Sequence, residues 1–298
     1  MNDVQLFNTD EYLRAARRLK LPRPKSALEE ARAFGGWTLH KLDVLKLYLA
    51  VYRRVAGNGT YIDGFAGDGV VVVDGEKRQG SAAIALASGA FKTMLLYEQP
   101  RRAKQLERWL DDNVKPRQRD RCQVRPGDFN QRVVKDLEAL VPFDRPCFAF
   151  LDPNSTELDW ATVKLLARHK AGGNPPETCK IELWILLNSH QVLMRLMPRK
   201  GPPDEKTLDR WLGPDGWRDL HERGAGPGLF VGRYAQRLMD EFGYGAALPM
   251  LICDPKTKRP QYYMIHASDH PTAHDFMRWA GKAASSRHFE SPRLPGLE

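Results

Sequence analysis

Apolar residues along the chain follow two rhythms. Between Thr38 and Val55, Leu42, Leu45, Leu49 and Tyr52 recur at three- and four-residue intervals. That spacing places them on one stripe of an amphipathic helix, and Gly57 and Gly59 mark its end. Short apolar runs follow at 60–63, 94–98, 122–125, 147–152 and 181–187, with helical spacing near 81–90, 100–113, 130–140 and 158–169. Strand, helix, strand at this spacing predicts an α/β fold with a parallel, doubly wound sheet.

The rhythm breaks at about 190–228, a Gly- and Pro-rich insert with Trp211 and Trp217 at its centre, before another amphipathic helix near 229–242. The insert reads as a lid or recognition segment, or equally as a small helical packing unit. The runs 248–253 and 261–266 are separated by a short turn-like stretch, so they pair antiparallel, because a parallel pair needs a long crossover. The expected architecture is a mostly parallel seven-stranded sheet with a terminal antiparallel hairpin, a Rossmann-like class I methyltransferase fold. Residues 1–36 read as a basic helical appendage, with helical spacing over 9–35, residues 37–285 as the domain, and 286–298 as a tail.

Composition narrows the class. With 42% apolar and 28% charged residues, the chain has the make-up of a globular protein rather than a disordered one. No stretch approaches the roughly 20 apolar residues of a membrane helix, and the start lacks a basic segment leading into an apolar run, so no membrane association and a cytoplasmic location are expected. Cys122, Cys147, Cys179 and Cys253 form no CxxC pair, which signals neither a zinc ribbon nor a disulfide framework. The net charge of +9 is concentrated in two clusters, one from Arg14 to Lys25 and one formed by Lys115, Arg117, Arg119, Arg121 and Arg125. Such clusters attract polyanions, nucleic acid above all, although solvated faces carry similar runs.

Candidate chemistry begins at Asp63-Gly64-Phe65-Ala66-Gly67-Asp68-Gly69, which ends the first parallel strand. Glycine removes the Cβ and permits positive φ, so a nucleoside can approach the main chain there. A carboxylate at Asp63 suits a cationic sulfonium and amino group. The glycine spacing is wrong for GxGxxG and argues against a nicotinamide cofactor. Glu98 ends the second strand, where a carboxylate accepts ribose hydroxyls. Asp128, followed by Phe129, comes after the third and can take an adenine amino hydrogen, or simply cap the next helix. Together these residues point to S-adenosylmethionine. Asp152-Pro153-Asn154-Ser155 enters the same crevice from the fourth strand, with Asp152 facing the acceptor and Asn154 orienting it. Ser81 reads as an N-cap. His266, His270 and His274 are spaced in fours, but Pro271 interrupts any shared helix face, so no metal site is expected.

The sequence resembles a bacterial family, the three-Cys-motif partner proteins (TcmP). The resemblance rests on His40-Lys41 with the following helix, Tyr61-Ile62-Asp63-Gly64-Phe65-Ala66-Gly67, Gly80-Ser81, Gly127-Asp128-Phe129-Asn130, Phe150-Leu151-Asp152-Pro153, and the stretch from Tyr262 to Pro271. It implies a methyltransferase-like domain acting on nucleic acid, with a protein partner that carries a three-cysteine motif. The family follows Asp-Pro with an aromatic and Gly, where this chain has Asn154-Ser155. The reading is a methyltransferase of nucleic acid, with a non-catalytic nucleic-acid-binding protein of the same fold as the alternative.

Overall fold

In the computed structural model, residues 33–34, 36–73, 76–170, 180–188, 191–198, 201–253, 259–270 and 272–285 are described. The first basic cluster, most of the expected N-terminal helix, Cys179 and the tail lie outside them.

Seven strands build the central sheet: β2 (Gly59–Asp63), β5 (Phe91–Glu98), β6 (Cys122–Pro126), β7 (Cys147–Leu151), β8 (Glu182–Leu187), β9 (Ala246–Cys253) and β10 (Pro260–Ser268). Their spatial order is β6-β5-β2-β7-β8-β10-β9. β2, β5, β6, β7 and β8 pair in parallel, and β10 runs antiparallel to both β8 and β9. This is the class I methyltransferase strand order. All residues of β2, β7 and β8 are buried, which follows from helices covering both faces of the sheet.

On one face lie α1 (Gly36–Ala56), α2 (Ser81–Ser88), α3 (Pro100–Asn113) and α11 (Ala273–Ser285). The stripe expected on α1 is buried, and the Tyr48 and Tyr52 rings meet Phe148 of β7 at 5.8 and 5.6 Å. The helix stops at Ala56, and Asn58 makes the turn into β2 at φ 68°, a left-handed conformation that an asparagine tolerates. The opposite face is covered by α5 (Phe129–Leu140), α6 (Trp160–Arg168) and the segment after β8. A short helix, α4 (Pro116–Arg119), precedes β6.

That later segment holds α7 (Gln191–Leu196), α8 (Glu205–Leu212), a 3₁₀ turn and α9 (Arg218–Glu222), followed by the long α10 (Pro227–Phe242). Trp211 and Trp217 are each 2% exposed, and Trp217 Nε1 donates to Asp209 at 2.8 Å. The insert therefore packs on the core.

Three features depart from the sequence reading. Ala33–Phe34 forms a strand, β1, where helix was expected, because it pairs in parallel with Val72 and Val73. Its partner β3 (Val70–Val73) pairs with β4 (Glu76–Gln79), so a small sheet is inserted between the glycine turn and α2. The terminal helix α11 was not anticipated. Among the described residues no helix is long and apolar enough to cross a membrane.

Candidate active site

The carboxyl ends of β2, β5, β6 and β7 meet the start of α1 around a crevice of about 560 Å³, within the usual range for small-molecule sites of roughly 300–1,000 Å³. Gly64, Phe65, Ala66, Gly67, Glu98, Asp128, Phe129, Asp152, Pro153 and Asn154 all line it. Asp63 and Gly69 do not.

The glycine turn folds back across two strand ends. Gly64 N donates to Phe150 O at 3.0 Å and Ala66 N to Tyr97 O at 2.9 Å. Gly67 sits at φ +65° and donates to Glu98 Oε2 at 2.8 Å. A Cβ on Gly64 would lie 3.0–3.1 Å from Leu151 and Phe129, so the turn can lie close against the Phe129 ring only without one. Gly69 has another duty: at φ +84°, its Cβ would lie 2.5 Å from the Trp109 ring of α3. It serves packing instead of the crevice.

Asp63 also departs from its expected role. It is fully buried beneath the turn and accepts from Tyr61 Oη at 3.1 Å, from Phe65 N at 3.3 Å and from the Ser81 hydroxyl. Burial pushes its carboxyl up to about 7, against the opposing pull of these donors. It ties β2, the turn and α2 together from below and meets no crevice space. Ser81 is correspondingly not the N-cap of α2; Gly80 holds that position, and the Ser81 hydroxyl is turned to Asp63.

Glu98 lies on the crevice wall. Its two oxygens accept from Gly67 N and Gln99 N, each at 2.8 Å, and Arg102 stands 3.7 Å away while donating to Asp68 at 2.7 Å. Each carboxylate oxygen has two lone-pair sites, so acceptor capacity remains. Asp128 caps α5, accepting from Asn130 N at 2.9 Å. The Phe65 and Phe129 rings meet edge to face at 5.8 Å, giving this part of the crevice an aromatic wall.

The other half is built around an ion pair that the sequence reading missed. Lys41 Nζ donates to Asp152 Oδ2 and lies 5.4 Å over the Tyr262 ring. Lys41 is only 5% exposed. A signal for it exists: a lysine stands one turn before Leu45 on the buried stripe of α1. The loop after Asp152 is held from the insert side. Asn188 donates to Asn154 O at 3.4 Å, Arg195 to Ser155 Oγ at 3.1 Å, and Arg210 to Asp159 at 2.9 Å and Thr156 O at 3.1 Å. Arg210, Asn188, Gln261 and Tyr262 also line the crevice.

The histidines have separate surroundings. His266 Nε2 lies 2.7 Å from Glu182 Oε1, which also accepts from Tyr48, at the amino end of β8. His270 turns to Thr272, and His274 Nε2 lies 3.4 Å from Ser268 O. Burial and the neighbouring His266 hold His274 below the ordinary imidazole range. The second basic cluster is divided. Arg119 donates to Asp111 at 2.7 Å and Arg125 to Asp136 at 2.9 Å, while Lys115 and Arg117 are exposed.

No family model and no curated protein matches the sequence. Solved structures similar to it include the cofactor-bound protein Rv0187 from MTB, 12% identical over 90% of this chain and 93% of that one, with a TM-score of 0.42. Protein LPL1258 from Legionella pneumophila is 12% identical over 80% and 86%, with a TM-score of 0.44. M. jannaschii TYW2, solved in complex with AdoMet, is 10% identical over 79% and 76%, with a TM-score of 0.35. The fold of this chain rests on its own strand order.

Proposed function

We propose that the protein is an S-adenosylmethionine-dependent methyltransferase acting on nucleic acid in the cytoplasm. The observation that carries this reading is Glu98, a carboxylate fixed by the Gly67 and Gln99 amides on the wall of a crevice floored by the glycine turn. The donor set fits the cofactor: Glu98 retains acceptor sites for a ribose diol, Phe65 and Phe129 offer an apolar wall for a purine, and the turn offers uncovered main chain. When bound, the cofactor supplies a methyl group on a sulfonium, attacked at carbon by an acceptor lone pair. The protein needs no covalent nucleophile for this. Its residues orient the acceptor, and the burial around Lys41 and Tyr262 restricts water.

Support for a nucleic-acid acceptor comes from the net charge of +9, the exposed Lys115 and Arg117, and the resemblance to three-Cys-motif partner proteins, which also suggests a protein partner with a three-cysteine motif. Free thiols at Cys122, Cys147 and Cys253 accord with a reducing compartment. Calorimetry with S-adenosylmethionine and S-adenosylhomocysteine, followed by tritiated methyl transfer to total RNA and total DNA, tests the reading. Saturable binding and labelling of one pool are expected; absence of cofactor binding sinks it. Asn154-Ser155, in place of the aromatic and glycine of that family, favours the second reading, a nucleic-acid-binding protein that transfers nothing. Cofactor binding with neither pool labelled selects that alternative.

A further inference from the structure

Lysine side chains ordinarily carry their ammonium to water. Lys41 does not. It is 5% exposed inside the crevice, and its Nζ meets one carboxylate, Asp152 Oδ2, and one aromatic face, Tyr262. An ammonium has three donors, and no second acceptor takes one among the described residues. Asp152 shows the complementary surplus: Oδ2 is taken by Lys41, while Oδ1 has no donor among the described residues, and the side chain is 22% exposed to the crevice. An ion pair serving only to staple α1 to the end of β7 would gain nothing from these open positions on the crevice wall. Side by side, they form a donor next to an acceptor.

We propose that Lys41 and Asp152 together read an acceptor–donor edge of the substrate: a ring nitrogen or carbonyl facing Lys41, beside an N–H facing Asp152 Oδ1. Neutral heterocycles with amidine or lactam character, the pairing edges of nucleobases among them, carry this pattern. The amides of Asn154, Asn188 and Gln261 extend the polar wall around it, and Tyr262 supplies an aromatic surface. This inference rests on the methyl-transfer reading of the same crevice, and it assigns to Lys41 direct contact with the acceptor substrate.

The test is calorimetric, on the full chain, with and without saturating S-adenosylhomocysteine. Uridine and guanosine are compared with their N3-methyl and N1-methyl counterparts, and cytidine with its N4,N4-dimethyl counterpart, so that each comparison removes the reading-edge N–H. At least one parent nucleoside is expected to bind at least about tenfold more tightly than its methylated counterpart, the size of a single well-made polar contact. Affinity for that parent should fall at least about tenfold in Lys41→Met, which removes the donor facing its acceptor atom, and largely return in Lys41→Arg, with S-adenosylhomocysteine affinity unchanged in both. If no pair is discriminated, or if Lys41→Met binds the preferred parent as tightly as the wild type does, the inference is overturned. Failure of the wild type to bind S-adenosylhomocysteine overturns the methyl-transfer reading instead, a result visible in the same titrations. Asp152→Asn, which keeps the side-chain shape, guards against misfolding of the lysine variant: its binding of the preferred nucleoside should also fall.

Discussion

Burial leaves Asp63 titrating near neutrality, at about 7 against an ordinary 3.8. A raised carboxyl favours the folded state where it is protonated, so this contribution is fully present below about pH 3.8 and is lost as pH rises through about 7. Asp63→Asn should remove that slope. Urea denaturation across this range should show the wild type losing up to ~4 kcal/mol relative to the variant; parallel profiles would refute the assignment. Gly69→Ala should cost about 1–3 kcal/mol, from its left-handed backbone and the Trp109 clash. Gly67→Ala should cost less, since its Cβ would meet only the end of Arg102 at 3.4 Å. In the sequence these glycines looked equivalent. Only packing against a tryptophan forty residues away separates them, and the same is true of Asp63, whose position at a strand end was legible while its orientation was not.

At the scale of elements, the rhythm of apolar residues located the five parallel strands and the closing hairpin, most clearly β2, β7 and β8, which are buried throughout, and least clearly β6 and β9, which are mostly half-buried. It does not reveal β4, whose Glu-Lys-Arg-Gln sequence carries no apolar alternation, or α11, whose buried face is made of small residues, Ala273, Ala280 and Ala283, besides Met277 and Trp279. The insert reads as a lid or recognition segment or as a packing unit; its buried tryptophans show that it packs on the core, while its Arg210 lines the crevice. Trp211→Ala should lower stability by about 3–5 kcal/mol in chemical denaturation. Arg210→Ala should act differently. Its side chain is 47% exposed, so global stability should change by less than about 1 kcal/mol, whereas amide exchange over residues 154–158 should quicken as the loop loses its clamp. Unchanged exchange there would show that Arg210 does not hold the loop.

For the whole molecule, the net charge is a poor guide until the pairs are sorted. Arg125 neutralises Asp136, which is 5% exposed, so Arg125→Ala should unfold more readily by about 3–5 kcal/mol, because it strands a buried carboxylate. Lys115→Ala and Arg117→Ala should instead leave stability nearly unchanged. Each should reduce the salt dependence of nucleic-acid binding by a slope of about 1, if those cations meet phosphates. Titrations of duplex DNA and of RNA at several salt concentrations separate the two classes, and a slope identical to wild type would remove both residues from the interface.

The two residues Ala33 and Phe34 carry a practical consequence. They pair with Val72 and Val73, and the same strand contributes Val70 and Val71 to the crevice wall. A domain map drawn from sequence alone would cut the chain at residue 36 and discard them as part of an appendage. A protein shortened that way would bare the edge of β3 and leave one rim of the crevice supported from one side only. Ligand affinities measured on it would then understate those of the parent, so shortened versions intended for screening should retain the residues that precede Gly36.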